Sequence, residues 1–255
     1  MTGGAVDAPV LVACAHGTRS AEGRATVRAL ADDVRALRPG LRVVEAFVDV
    51  QEPAVADAVA DATLAGPDGG LRAVVTPLLL STGHHVRHDI GAAVAGRPVR
   101  AAEPLGPDER LVAVLLERLR EAGAEPGDAV VVAAAGSTDP AAAGAVEQVV
   151  AGVRAAWPGP VTVGYGAAAS PSVPEAVTAA RAAGAARVVV AAYLLAPGHF
   201  HGALLGAGAD VLTRPLGPHP LLARIVLDRY DAQVAAGSVA ADAAGPLAAV
   251  AAAHG

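Results

Sequence analysis

The chain has one cysteine in 255 residues, Cys14, which leaves no disulfide framework. Cys14 sits inside an apolar run and reads as a small core residue rather than a reactive thiol. Aromatic residues are only 2% of a sequence that is 53% apolar, so alanine, valine and leucine must build the core. Basic residues are outnumbered: 19 Lys and Arg against 25 Asp and Glu give a net charge of −6, which argues against a general nucleic-acid binder. No apolar run reaches the length of a membrane span, and the N-terminus lacks a basic start followed by a long apolar stretch. The expectation is a soluble cytoplasmic protein with neither nucleic acid nor membrane as partner.

What is present is an alternation of apolar strand-like runs with Ala- and Arg-rich helical stretches. Strands are expected at 10–15, 42–48, 73–80, 99–101, 129–135, 161–165, 187–195 and 210–212. A helix is expected over Ala21–Leu37, stopped by Pro39-Gly40. Strand alternating with helix implies an α/β protein with parallel sheets.

The pattern occurs twice. Aligning Gly17 with Gly136 sets Leu11-Val12-Ala13-Cys14-Ala15-His16 against Val130-Val131-Val132-Ala133-Ala134-Ala135. Further on, Leu79-Leu80-Ser81-Thr82-Gly83-His84 meets Leu194-Leu195-Ala196-Pro197-Gly198-His199. The fold expected is two Rossmann-like parallel-sheet lobes related by internal duplication, with a cleft between them. The lobes are assigned to 1–124 and 125–236, followed by an Ala-rich tail, 237–255, expected to be frayed helix or disordered. The copies differ in chemistry: His16 faces Ala135, and His85 faces Phe200. The second lobe keeps the glycine turn and lacks both histidines.

Candidate reacting groups lie at strand ends, where parallel sheets place their sites. His16 opens the loop Gly17-Thr18-Arg19-Ser20; taken alone it is equally a loop histidine satisfied by backbone. With one glycine and no Gly-Lys-Ser signature, the loop is a poor phosphate cradle. Asp49 falls at the carboxyl end of the second strand, and adjacent parallel strands would bring it near His16. Glu52 before Pro53 reads as the start of the next helix. The third strand runs into His84-His85-Val86-Arg87-His88-Asp89. His84 and His88 share a helical face at i, i+4, a zinc-clip spacing with no third ligand nearby in sequence. Two histidines and a carboxylate from separate loops leave coordination positions open, as a transferable iron, cobalt or nickel ion requires. Arg87 and His88 suit an anionic substrate.

These segments together resemble the sirohydrochlorin chelatase family. The resemblance rests on His16-Gly17-Thr18-Arg19, on Phe47-Val48-Asp49-Val50-Gln51-Glu52-Pro53, and on Pro77-Leu78-Leu79-Leu80 running to Gly83-His84-His85-Val86-Arg87-His88-Asp89-Ile90. It extends to about Tyr230 and includes the duplication of the long, two-lobed form. It implies a class II chelatase-like fold and a lyase that inserts a divalent metal into the reduced tetrapyrrole sirohydrochlorin. Iron for siroheme is the first reading and cobalt for cobalamin the alternative; a non-catalytic metal- or tetrapyrrole-binding protein is the reading of another class. By the resemblance, His16 and His85 are catalytic and, with Asp49, hold the metal; many members carry glutamate at the Asp49 position. No permanently bound cofactor is implied, because Fe2+ or Co2+ is a substrate. The substrate ring carries eight carboxylates, which Arg19, Arg87 and His88 would attract. Thr18, His84, His199, Phe200 and His201 complete the expected substrate contacts. Two histidines in Pro197-Gly198-His199-Phe200-His201 would also allow a second metal port; lining of the pocket is the favoured reading, since no carboxylate completes a ligand set. A monomer is expected.

Overall fold

The computed structural model describes residues 8–65, 70–81 and 83–251, with the side chains of 65, 84, 85 and 238–251 outside the description. Eight strands and eight helices among these residues form two four-stranded parallel sheets. The first sheet has the order β2-β1-β3-β4, from β1 (Val10–Ala15), β2 (Val43–Phe47), β3 (Ala73–Pro77) and β4 (Val99–Ala101). The second repeats it as β6-β5-β7-β8, from β5 (Ala129–Ala134), β6 (Val161–Tyr165), β7 (Val188–Tyr193) and β8 (Val211–Leu212).

Strand β1 is buried on both faces, and its residues divide between two cores, as a central parallel strand requires. Val10, Val12 and Cys14 meet α2 (Val55–Ala65) and α3 (His84–Val94) on the outer face. Leu11, Ala13 and Ala15 join α1 (Ala21–Leu37), α4 (Glu109–Glu121), α5 (Pro140–Ala156) and α8 (Pro220–Ala251) in a core shared with the inner face of the second sheet. Helices α6 (Val173–Ala182) and α7 (His199–Leu204) cover the second sheet's outer face. Burial pushes the Cys14 thiol up to about 12, so it stays protonated and unreactive inside this packing.

Helix α1 starts where Ser20 accepts the Gly23 N–H and buries Val27, Leu30 and Val34, one face at helical spacing. It ends before Pro39-Gly40, where Gly40 takes φ +91°.

The last helix of each half packs on the other half. Helix α4 lies against β7 and α5, and α8 lies against β3 and α1. Each crossing is fastened by one arginine. Arg118 of α4, 1% exposed, donates from Nε to the Pro215 carbonyl and from Nη2 to those of Leu216 and Pro218. Arg229 of α8 makes the equivalent bonds to the carbonyls of Pro104, Leu105 and Pro107. The carbonyls held are those of the segments following β8 and β4.

Candidate functional site

The carboxyl end of β1 lies between those of β2 and β3, and this edge is where the first lobe faces the second. Past the strand ends the pairing continues: Val48 N–H donates to the Ala15 carbonyl at 3.0 Å and Asp49 N–H to the His16 carbonyl at 2.9 Å. On the other side, Leu78 N–H donates to the Cys14 carbonyl at 2.7 Å. His16 and Asp49 thus stand on adjoining loops, both exposed, as adjacent parallel strands predict.

Three further contacts fix these loops. Gly17 takes φ +98°, and a Cβ built there would overlap the Asp49 carbonyl oxygen. Gln51 accepts the Thr18 N–H on its side-chain oxygen at 2.8 Å. Asp49 Oδ1 accepts the Val50 N–H at 2.8 Å, which fixes the carboxylate at the turn. Glu52 instead accepts the Ala54 N–H and opens α2, the role expected for it.

A cavity of about 880 Å³ occupies the space between the lobes. His16, Thr18, Arg19 and Asp49 line it from the first lobe, with His199, Phe200 and His201 from the second. Between these polar edges the lining is apolar, including Leu78, Leu80, Val146, Leu195 and Pro197. Three of the chain's six aromatics, Tyr165, Tyr193 and Phe200, are here; composition alone gave no sign of that concentration. Phe200 is 41% exposed and meets the ring of His199 edge-on at 5.8 Å. His201 Nε2 lies 3.1 Å from the Thr213 carbonyl, a bond in which the imidazole nitrogen donates. Tyr193 is buried with no hydrogen-bond partner for its hydroxyl, and burial raises its pKa, so the hydroxyl stays protonated.

Not every expected residue meets at this point. Arg87 and His88 lie on exposed positions of α3 and do not line the cavity. The side chains of His84 and His85 lie outside the described residues; their backbone forms the first turn of α3. Among the described residues no group of three or more His, Cys, Asp and Glu side chains is close enough to hold a metal.

The two lobes repeat one backbone with different chemistry. Gly136 takes φ +89° against the Ala167 carbonyl, as Gly17 does against that of Asp49. Ala167 N–H donates to the Ala135 carbonyl, as Asp49 N–H does to that of His16. Val50 and Ala168 share a positive φ, 64° and 56°. By this correspondence the second lobe has Ala135 for His16, Ala167 for Asp49 and Ala169 for Gln51. The Asp49–Ala167 and Gln51–Ala169 differences escape the sequence alignment, whose anchors were the glycine turns.

Two open parallel α/β sheets with a ligand-sized cleft at their facing carboxyl edges, and a His16–Asp49 pair that only one of the two matching loop sets carries, define a two-lobed chelatase-type architecture. SirB from Bacillus subtilis, solved with Fe3+, superposes with a TM-score of 0.75 over 91% of this chain and 97% of that one, at 21% identity. The CbiX family profile matches residues 10–122 and again 129–233, and the chain belongs to that family. A sirohydrochlorin ferrochelatase of Priestia megaterium is 33% identical over 142 residues, 51% of this chain and 53% of that protein. A sirohydrochlorin cobaltochelatase of Sulfurisphaera tokodaii is 32% identical over 78 residues, 29% of this chain and 62% of that protein. The matched stretch therefore spans less than two thirds of either relative's length.

Proposed function

We propose that the protein is a sirohydrochlorin chelatase that inserts a divalent metal, Fe2+ in the first instance, into the tetrapyrrole. The observation that carries this reading is the asymmetry of the two matching loop sets. His16 and Asp49 stand where the same backbone in the other lobe carries Ala135 and Ala167. A pair of polar groups present in only one of two matching loops is not a requirement of the fold.

In this reading the lobe of 1–124 supplies the chemistry, and the lobe of 125–236 supplies a largely apolar wall edged by His199 and His201. Metal insertion exchanges two pyrrole N–H protons for one divalent ion, as ring nitrogens replace the ion's water and protein ligands. Asp49 and His16 present the ion together with His85, and as the ion passes to the ring the released neutral imidazoles of His16 and His85 each accept one of the two pyrrole protons and pass it to water. Phe200 and the neighbouring apolar lining pack on the planar ring, while Thr18 and Arg19 meet its carboxylates from the first lobe and His199 and His201 from the second. His84, Arg87 and His88 belong to the segment that would meet carboxylates outside the cleft. The protein works as a cytoplasmic monomer with both substrates diffusing in.

The test is anaerobic insertion of Fe2+ and Co2+ into sirohydrochlorin by the purified protein, followed through the ring's absorption bands. Iron insertion above the uncatalysed rate is expected, with His16→Ala and His85→Ala each losing most of it at unchanged melting temperature. Asp49→Asn should weaken metal binding more than tetrapyrrole binding. Faster insertion of Co2+, the activity named for the Sulfurisphaera tokodaii relative, would move the assignment to cobalamin synthesis. Binding of both ligands without insertion would leave a binding protein and sink the enzymatic reading.

A further inference from the structure

Among the described residues, helix α3 begins without a side-chain cap. Its N-cap is Gly83, which offers no side-chain acceptor to the first N–H groups. By contrast α1, α4 and α5 are capped by Ser20, Asp108 and Asp139. This turn carries His85.

The opposite lobe makes contact with this segment. Arg87 Nη2 lies 3.5 Å from Asp139 Oδ2, a pair that joins the two lobes. A side chain begun at Gly83 would meet Ser137 Oγ at 3.5 Å, so the same two segments are in contact at the helix start. Asp139 is itself held firmly. Its Oδ1 accepts the Ala141 N–H at 2.9 Å as the cap of α5, its own N–H donates to Ser137 Oγ at 3.0 Å, and its side chain is 17% exposed. Arg87 is the more exposed partner, at 60%. The anchor therefore belongs to the second lobe, and the segment it steadies belongs to the first.

We infer that Asp139 is a positioning residue: through Arg87 it fixes the first turn of α3, and with it His85, relative to the cleft. The inference rests on the chelatase reading and gives the second lobe a part in metal delivery besides forming a wall. A half-exposed ion pair contributes little to global stability. Its effect is local, on a turn with no side-chain cap among the described residues.

The experiment is a double-mutant cycle on insertion kinetics with Asp139→Asn and Arg87→Gln, each read as kcat and as KM for metal and for sirohydrochlorin. Asparagine keeps the capping of α5, so the melting temperature should not move. Asp139→Asn is expected to lower kcat/KM for the metal by about fivefold, the upper range for an exposed pair, with KM for sirohydrochlorin unchanged. In the Arg87→Gln background the same substitution should change nothing. Loss of equal size in both backgrounds would overturn the inference. So would a lower KM for sirohydrochlorin in Asp139→Asn, which would make Asp139 a competitor of substrate carboxylates for Arg87. An inactive wild-type protein would refute the chelatase reading instead, before the cycle is run.

Discussion

Gly17 joins the His16 loop to the Asp49 loop by having no side chain. Its φ of +98° and the Asp49 carbonyl lying where a Cβ would be exclude alanine without movement of the backbone. Gly136 is in the same situation against Ala167, where no reacting group stands. The pair makes a matched experiment. Gly17→Ala and Gly136→Ala should each cost at least about 2 kcal/mol, from the strained φ and the overlap together. Only Gly17→Ala should also lose metal affinity, because it displaces Asp49. Thermal melts and metal titration of the two variants separate the effects; equal loss of metal binding in both would remove Asp49 from the site. At this scale His16, Thr18 and Arg19 were legible as lining residues because they sit in a polar, glycine-punctuated loop after an apolar run, and Asp49 because it closes the neighbouring strand. Tyr165 and Tyr193 were not, since an aromatic at the end of a buried strand looks like core until the facing lobe is known.

Among the elements, α4 shows how a helix can belong to one half of the sequence and to the other half of the structure. Its inner end is held by Arg118, and Glu121 receives both Arg118 and Arg214. The Arg214 guanidinium, bonded at 2.7 Å to both carboxylate oxygens, and then Arg118 hold the Glu121 carboxyl down at about 2. A folded-state pKa below the unfolded value of 4.5 means stability that is present above pH 4.5 and lost as pH falls toward 2. Glu121→Gln should therefore melt lower than the wild type at neutral pH, and the difference should shrink below pH 4.5 and vanish near 2. A difference constant across that range would mean that the ionised carboxylate is not what stabilises the crossing. The strands themselves were largely legible: β1, β4 and β6 have the expected bounds. The apolar runs at 73–80 and 187–195 overshoot, because β3 ends at Pro77 and β7 at Tyr193. Residues beyond those ends, such as Leu80 and Leu195, are apolar because they line the cavity. Hydropathy marks burial and does not distinguish a paired strand from the wall of a cleft. Likewise the helical periodicity of α4 and α8 shows that each has an apolar face, and says nothing about which sheet that face covers.

For the molecule as a whole, the exchange makes the two halves mutually dependent even though each carries its own sheet. Residues 1–124 contain β1 to β4 and α4, yet the helix that covers the inner face of β3 is α8, which begins at Pro220. Expressed alone, this half would expose the inner face of its sheet beside Leu30, Val34 and Val74, together with the apolar face of α4 bearing Leu111, Val114 and Leu115, all of them buried in the intact chain. Apolar faces of that extent do not remain in water. They can be covered in one way that the fold already contains, with α4 of one copy taking the place of α8 on another, since the crossings at Arg118 and Arg229 are equivalent. Residues 1–124 should therefore be recovered as a dimer or as aggregate, and light scattering after size exclusion measures which. A dimer would also have His16 and Asp49 on both sides of its cleft, and should bind up to twice as much metal per cleft as the intact chain. A monomeric fragment with a cooperative melt would show that the inner face needs no crossing helix, and the exchange would then be an accident of linkage rather than a condition of folding.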